Sequence, residues 1–349
     1  MLTCKSGRLA AAALAVTLMG FTANTARGQD KLVKIDGSST VFPVTEAVAE
    51  EFQASKKGAV KVTVGISGTG GGFKKFARGE IDISNASRPI SADEMKAAKE
   101  NGVEYIELPI CFDALTVAVN PQNTWCDTIT VEELKKLWEP AAQGKITKWS
   151  QVRAGWPDEK IEIFGAGTDS GTFDYFTEAV VGKAKSSRGD YTASEDDNVL
   201  VRGIEGSKYA LGYIPYAYFA QHAKRMKAVK IDWEKDQLPA MEPTMENVLA
   251  GKYNPLSRPL FIYVNKKAYE TRPEVRDFAD FYLDNAAALA EEVKYLPLPS
   301  GAYEAGRKRL KSLQTGTAFA GHAEIGVPVE EIMRRSPVAE PKDKPAEKK

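Results

Sequence analysis

Apolar residues in the first third of the chain recur with two different periods. Val44, Val48 and Phe52 are spaced by four, which is typical of one face of a helix. Other runs are short, and their β-branched content and alternation are typical of strands. The predicted strands are 32–35, 60–66 and 81–83, and the predicted helices are 43–52, 72–77 and 93–101. This alternating order favours a mostly parallel sheet with helices on its faces.

Two later strands, CFDALTVAVN at 111–120 and PLFIYVN at 259–265, lie on either side of a second α/β unit. The second unit has a predicted helix at 131–138 and strands at 161–164, 211–214 and 229–231. We therefore predict an α/β fold of two lobes, joined where these two strands cross between them. Lobe 1 is predicted to comprise 29–111 plus 259–330, and lobe 2 to comprise 112–258.

The remaining segments are predicted as connections and ends. Two further helices are expected at 273–282 and 286–292, and a surface loop at 182–197. The segment 331–349 is predicted to be a disordered tail, because 337–349 is rich in charge and proline and poor in apolar residues.

The first 28 residues have the pattern of a secretory signal peptide. Lys5 and Arg8 precede a short apolar run at 9–21, and small residues at 26 and 28 suit cleavage after Gly28. The alternative is an uncleaved anchor, although a comfortable membrane span needs about 20 apolar residues. The pattern predicts export to the periplasm. In that oxidising compartment, Cys111 and Cys126 are predicted to form a disulfide, the alternative being two separate buried thiols.

Composition excludes several classes of function. Lys plus Arg and Asp plus Glu both number 47 in 349 residues, so the surplus of positive charge expected of a nucleic-acid binder is absent. His222 and His322 are far apart and the cysteines lack metal-type spacing, so no metal site is predicted. The sequence contains no GxSxG, HExxH or Walker motif, and we expect neither an enzyme nor a cofactor.

Glycine and short hydroxyl residues cluster at three places where a predicted strand is followed by a helix. Backbone amides at a helix start have no partner within the helix, and the helix dipole makes that end positive. Each cluster alone is explained as an ordinary cap or turn. Three together at the carboxyl edge of an open α/β sheet predict a site for a compact oxyanion. The three segments are DGSSTVFP (36–43), SGTGGGF (67–73) and FGAGTDSGTFDYF (164–176).

Arg88 is the candidate cation of this site. It follows the strand that ends in SNAS, and a guanidinium can bind two oxygens of a tetrahedral anion. An exposed loop arginine is the alternative. Asp169 is predicted to pair with Arg88, to accept a proton from the anion, or only to cap its helix.

The segments DGSSTVFP, GISGTGGGFKKFARGEIDISNASRPI and GAGTDSGTFDYFTE resemble the PstS family, the extracytoplasmic phosphate-binding proteins of ABC-type phosphate importers. The resemblance extends from about Val33 to Phe319, and it implies the two-lobed periplasmic-binding-protein fold of type II with two crossover strands. The positions that match phosphate contacts of the family are Ser39, Thr40 and the amide of Val41; Ser67, Gly68 and Thr69; and Ser170, Gly171 and Thr172.

The chain departs from part of the family at two positions. Arg88 stands where some members carry aspartate, and Ala166 or Gly167 stands where some carry arginine. It is similar to a subgroup with NASRP and TDSGTF. The departure leaves open which carboxylate accepts the proton of phosphate, and Asp169 is the residue predicted for that role.

The resemblance implies a monomeric protein that captures inorganic phosphate and delivers it to the membrane permease subunits of an ABC importer. Three alternatives remain. The same fold can bind another tetrahedral oxyanion such as sulfate or molybdate, the chain can be a secreted phosphate-ester hydrolase, or it can act as a sensor without transport.

Overall fold

The structure, a computed structural model, describes residues 31–235, 237–322, 324 and 329–341. The predicted signal peptide at 1–28 lies outside these residues. The strands are β1 (Lys31–Gly37), β2 (Val60–Val64), β3 (Ile83–Ala86), β4 (Tyr105–Val119), β5 (Thr128–Thr130), β6 (Glu162–Ala166), β7 (Thr192–Ser194), β8 (Ala210–Pro215), β9 (Lys227–Ala228), β10 (Lys230–Asp232), β11 (Ser257–Asn265) and β12 (Leu296–Pro297). The helices are α1 (Phe42–Ser55), α2 (Gly68–Ala77), α3 (Ala92–Glu100), α4 (Val131–Trp138), α5 (Trp149–Val152), α6 (Gly171–Val181), α7 (Asp197–Gly206), α8 (Tyr216–Gln221), α9 (Met245–Leu249), α10 (Lys266–Thr271), α11 (Pro273–Glu292), α12 (Ser300–Lys311) and α13 (Val329–Arg334), with a short 3-10 helix at Pro140–Ala142.

The long strand β4 belongs to the sheets of both lobes. Its first part, up to Ala114, pairs with β11 in the order β2-β1-β3-β11-β4. From Leu115 onward it pairs antiparallel with β8, and the order continues as β4-β8-β6-β7. The predicted two-lobed α/β fold with crossing strands is confirmed. The lobe boundaries drawn at 111/112 and 258/259 stay a prediction.

Each lobe is built around its own apolar core. In lobe 1, α1 and α11 pack together, and the Phe52 ring meets the edge of Phe278 at a centroid distance of 5.2 Å. In lobe 2, Trp138 contacts Phe176, and Phe176 stacks on Tyr213 at 3.9 Å. Burial of apolar side chains such as these is the main stabilising contribution to folding, so each sheet has a core that holds it together.

The predicted disulfide between Cys111 and Cys126 is wrong, since both thiols are free and buried. Cys111 lies on β4 and packs into the core of lobe 1. Cys126 packs into the core of lobe 2. Two thiols in separate cores cannot reach the short Cα separation that a disulfide requires.

Three predicted helices are corrected by the structure. The helices expected at 273–282 and 286–292 are one helix, α11, because Leu283 and Ala286 continue its buried face. The helix expected from Gly72 starts at Gly68. A Cβ on Gly72 would lie 2.6 Å from Gly37 Cα and 2.8 Å from Ser84 Oγ, so glycine at position 72 allows close packing of α2 on the sheet.

The loop predicted at 182–197 and the tail predicted at 331–349 are also more ordered than expected. The loop contains β7, and its Arg188 is buried, donating to the carbonyls of Leu137 and Ile146. The described part of the tail starts in α13, whose Ile332 is buried in lobe 1. Val338 then exchanges two backbone hydrogen bonds with Thr317, of 3.0 and 2.9 Å. Residues 342–349 lie outside the described residues.

Among the residues that the structure describes, no helix is both long enough and apolar enough to cross a membrane.

Candidate anion-binding site

The three glycine- and hydroxyl-rich junctions meet between the lobes. The Thr40 hydroxyl, before α1 in lobe 1, lies 3.0 Å from the Thr172 hydroxyl in the first turn of α6 in lobe 2. Thr69, in the first turn of α2, lies 3.1 Å from the Ser87 hydroxyl that follows β3. A Cβ on Gly171 would lie 2.4 Å from Thr69 Oγ1 and 2.6 Å from Ser87 Oγ. The predicted convergence of the three helix starts is therefore observed.

The start of α1 offers backbone donors to this point. Among the described residues, the amides of Ser39, Thr40 and Val41 donate to no backbone carbonyl and to no side chain. All three residues are buried, at 4% exposure or less. Buried amides without a partner are uncommon, and at the positive end of a helix they favour an anion as the missing acceptor.

The start of α6 is the matching element of lobe 2. Ser170 is the N-cap, and its side chain accepts a 3.1 Å hydrogen bond from the Thr172 amide. The buried Thr172 hydroxyl is left facing Thr40 across the cleft. Cleft walls from both lobes thus present hydroxyl groups, which can donate to an oxyanion without adding charge.

A buried ion pair on the crossing strands forms the base of the cleft. Arg258 on β11 and Asp113 on β4 are register partners, and Nη2 of the arginine lies 3.0 Å from the aspartate oxygen. The same Nη2 donates to the Thr172 hydroxyl at 2.8 Å, and more weakly to that of Thr40 at 3.4 Å. Arg258 is 1% exposed. Its guanidinium contacts hydroxyls of both lobes directly.

Sequence reasoning missed Arg258 and Asp113. The signal was available, because Asp113 stands inside the apolar predicted strand 111–120 and Arg258 directly precedes the apolar predicted strand 259–265. A charged residue buried in a strand requires a partner of opposite charge. Two neighbouring strands that each bury one charge can supply that partner to each other.

Arg88 lies between the lobes, but protein acceptors bind its guanidinium. Nη1 and Nη2 donate to the Glu94 carboxylate at 2.7 and 2.8 Å, and Nε donates to Asp174 of α6 at 2.6 Å. Although burial opposes its charge, Glu94 and Asp174 raise the pKa of the guanidinium. A direct contact of Arg88 with the anion stays a prediction, and in this arrangement Arg258 is better placed.

Asp169 lies at the outer edge of the cleft. Its side chain is 48% exposed and forms a salt bridge of 2.8 Å with Lys74. The predicted pairing with Arg88 is wrong, because Asp174 occupies that position instead. Exposure to water also disfavours Asp169 as the buried acceptor of a proton. Its carbonyl has a different use, accepting the Gly70 amide of lobe 1 at 2.8 Å.

Ser67 and Gly68 support the second junction in different ways. The Ser67 hydroxyl donates to Asp36 at 2.5 Å, so it is engaged within lobe 1. Gly68 has a φ of +74°, and a Cβ there would lie 2.5 Å from the Asp169 carbonyl. Glycine is therefore required at this position both for its backbone conformation and for the approach of lobe 2.

Asp197, the first residue of α7, is a further carboxylate at the cleft that sequence reasoning missed. It is 2% exposed, and its Oδ2 has no hydrogen-bond partner in the described part of the chain. Burial raises the pKa of this carboxyl to about 7, while the nearby Ser39 hydroxyl and the charge of Arg258 act to lower it. In the sequence it was one acidic residue in the loop-like run SEDD, with no signal of burial.

The described residues hold no group of three or more histidine, cysteine, aspartate or glutamate side chains arranged to bind a metal. His222 pairs with Glu205 of α7 at 2.9 Å.

Comparisons with known proteins agree with this geometry. The sequence profile of the PBP superfamily domain matches residues 21–286. Protein SphX of Synechocystis sp. is 47% identical over 322 residues, which cover 92% of this chain and 95% of the relative. The phosphate-binding protein PstS of Staphylococcus saprophyticus is 36% identical over 296 residues, covering 84% and 88%. The chain belongs to the PstS family of the PBP superfamily. The family expected from the three sequence segments is confirmed.

Solved structures similar to this PstS-family chain extend the comparison. A possible phosphate-binding protein from Planctomyces limnophilus is 52% identical with a TM-score of 0.60, over 81% of this chain and 98% of that protein. A putative phosphate ABC transporter substrate-binding protein from Clostridium perfringens, determined with bound phosphate, is 27% identical with a TM-score of 0.63, over 77% and 100%.

Proposed function

We propose that this protein captures inorganic phosphate between its lobes and delivers it to an ABC-type phosphate importer. The observation that carries the proposal is the meeting of Thr40, Thr172 and Arg258, which places donors from both lobes and the crossing strands within 3.4 Å of one another. Such a cluster suits a small tetrahedral anion that accepts many hydrogen bonds. The names of the relatives, which include phosphate-binding protein PstS, support phosphate as that anion.

The proposed ligand contacts come from the three junctions and the base of the cleft. The amides of the first junction point toward the anion at the positive end of α1, and hydroxyls contribute from α2 and α6. The proposed contacts are Ser39, Thr40, Val41, Thr69, Ser170, Gly171, Thr172 and Arg258, with Ser67, Gly68, Arg88 and Asp169 supporting the loops and the lobe contact.

Transport rather than catalysis is the role that the site supports. The geometry offers donors for an anion on both sides, as expected for reversible binding by closing lobes. The named relatives are binding proteins. We further propose export to the periplasm, a monomeric state and delivery to membrane permease subunits, which accord with the signal-like first 28 residues and with the PstS relatives.

Calorimetric titration of protein that has been unfolded and refolded to remove carried ligand tests the function. We expect saturable binding of phosphate and much weaker binding of sulfate or molybdate. Preference for sulfate or molybdate would keep the binding role but change the ligand. Release of product from a chromogenic phosphate ester by pure protein would favour a hydrolase instead.

Two variants test the site itself. Thr40→Val and Thr172→Val each remove one hydroxyl, and each is expected to weaken phosphate binding about tenfold or more, since a hydrogen bond to a charged group contributes about 1.5–3 kcal/mol. Thr63→Val, an exposed position on β2, is the matched control. Affinity unchanged in both cleft variants would refute the assigned site.

A further inference from the structure

Glu195 lies between β7 and α7 and contacts loops of both lobes at the rim of the cleft. Its Oε1 accepts the Asp169 amide at 3.0 Å, in the turn that leads into α6. A Cβ on Gly167 would overlap the same carboxyl, so glycine at position 167 leaves the space that the glutamate occupies. Glu195 therefore holds the backbone just before the proposed ligand contacts at the start of α6.

The second oxygen of this carboxyl faces the opposite lobe. A Cβ on Gly68, the first residue of α2, would lie 2.8 Å from Oε2 of Glu195. Oε2 is buried and has no hydrogen-bond partner among the described residues, although most buried polar atoms are hydrogen-bonded. Glu195 is thus a carboxyl of lobe 2 whose unpaired oxygen lies against a helix start of lobe 1.

The start of α2 is a favourable surface for a negative charge. Its N-cap, Ser67, forms no side-chain capping bond, and in the described part of the chain the Gly68 and Thr69 amides donate to no carbonyl and to no side chain. Such amides form the positive end of the helix dipole, and an acidic side chain near them is stabilising. Lys74 of α2 adds a positive charge. Burial raises the pKa of the Glu195 carboxyl, and Lys74 acts to lower it.

We propose that Glu195 is a positioning residue for phosphate capture, which contacts α2 when the lobes close and so prolongs the time for which the anion is held. The inference rests on the proposed function, because it concerns closure of the same cleft. Two other rim contacts lie beside it, the Gly70 amide donating to the Asp169 carbonyl at 2.8 Å and the Lys74–Asp169 salt bridge of 2.8 Å. Both side chains of that salt bridge are exposed, so it contributes little. The Glu195 oxygen is shielded from water, where a charge interacts more strongly.

Two variants of Glu195 separate the lobe contact from the charge. Glu195→Asp keeps the charge, but its side chain is one methylene shorter and cannot reach both the Asp169 amide and Gly68. Glu195→Gln keeps the length, but it offers one acceptor oxygen in place of two and removes the charge. Loss of a negative charge at the rim favours the approach of an anion and acts on the association rate. Loss of the lobe contact acts on the dissociation rate.

The test is stopped-flow measurement of phosphate association and release with the stripped full chain. We expect release from both variants to be about 5- to 30-fold faster than from wild type, the range for a partly buried charge at a helix start. Association should be faster than in wild type only for Glu195→Gln. Glu162→Gln is the matched control, since this exposed glutamate of β6 accepts the Ser207 hydroxyl within lobe 2 at 2.7 Å and should change neither rate.

Release from Glu195→Asp at the wild-type rate overturns the proposal, because the contact with α2 would then contribute nothing to closure. Ligand-free melting temperatures should stay at the wild-type value in both variants, since this contact belongs to the closed form. A lower melting temperature in both would assign Glu195 to the local fold of lobe 2 and overturn the proposal as well. If wild type binds no phosphate, the proposed function fails first, whereas normal binding with wild-type release in both variants refutes only the role of Glu195.

Discussion

At the scale of single residues, Arg258 shows how a site with few formal charges can hold an anion. Its guanidinium is fully buried, so it depends on protein partners in place of water. Nε and Nη2 donate to Asp113 at 3.2 and 3.0 Å, and Nη1 donates to the Gly171 carbonyl at 3.3 Å. The aspartate therefore fixes the orientation of the arginine and offsets its charge, leaving Nη2 directed at the cleft hydroxyls.

Arg258→Lys tests this orientation. A lysine ammonium is a point charge without the planar fork, so it cannot contact Asp113, Gly171 and Thr172 together. We expect phosphate affinity to fall about tenfold or more, in the range of a lost charge-assisted hydrogen bond, with a lower melting temperature. Calorimetry and thermal unfolding measure the two effects. Arg202→Lys, at an exposed position of α7, should change neither, and unchanged affinity in Arg258→Lys would exclude the arginine from the site.

At the scale of elements, the helix starts need glycine, which has no side chain, as much as they need hydroxyl groups. Gly171 opens α6 and faces the second junction, where the Thr69 and Ser87 hydroxyls come within the space of a missing Cβ. This contact exists because α2 and α6 belong to different lobes that approach end to end. Glycine at this position is therefore needed for the two lobes to come together, and not only for the local turn.

Gly171→Ala is expected to weaken phosphate binding about tenfold or more while leaving the fold of each lobe stable. Its Cβ would lie 2.4 Å from Thr69 Oγ1, and relieving such overlap typically costs about 1–3 kcal/mol. The cost applies mainly to the closed form, so the affinity should change more than the melting temperature of ligand-free protein. Gly206→Ala, at the end of α7 with open space around it, is the control. Equal affinities for the two variants would contradict this reading of the junction.

The sequence was sufficient to predict the alternation of strands and helices in the first third of the chain and the three glycine- and hydroxyl-rich junctions, because both depend on local patterns. Period, glycine content and capping residues are all visible within a dozen positions. The pairs that complete the site are not local. Arg258 and Asp113 are separated by 145 residues, and Arg88 and Asp174 by 86. Their contacts depend on strand register and on lobe approach, which no single segment encodes.

The same limit explains the errors over Asp169, Asp197 and the two cysteines. Asp169 lies next to the hydroxyl residues of the third junction in the sequence, yet the fold places its side chain at the water-exposed edge. Asp197 comes from a polar run, yet it is only 2% exposed in the fold. Cys111 and Cys126 are close in sequence, but β4 carries the chain out of one core and into the other between them.

At the scale of the whole molecule, the described contacts between lobes form a closed cleft. The Gly70 amide donates to the Asp169 carbonyl at 2.8 Å, and Thr40 meets Thr172 at 3.0 Å. Arg88 and Asp174 add an ion pair of 2.6 Å in which both side chains are 6% exposed. Opening about the crossing strands would break all three contacts, which is the behaviour expected of a hinge-type binding protein.

The Arg88–Asp174 ion pair should therefore stabilise the closed form relative to the open form. Glu94 belongs to lobe 1 and binds Arg88 through both terminal nitrogens, so the arginine keeps a partner when the lobes separate. Asp174→Asn weakens only the contact across the cleft. We expect phosphate affinity to fall about 5- to 150-fold, the range of a coupling of about 1–3 kcal/mol.

The change in phosphate affinity should appear in the dissociation rate, since the ion pair forms after the anion has entered the open cleft. Stopped-flow release of phosphate measures that rate, and small-angle scattering should show a more open protein at subsaturating ligand. Glu80→Gln, which weakens an exposed ion pair with Arg78 inside lobe 1, should leave both unchanged. A dissociation rate in Asp174→Asn equal to that of wild type would mean that the lobes are held by the ligand alone and that the buried ion pair contributes nothing to closure.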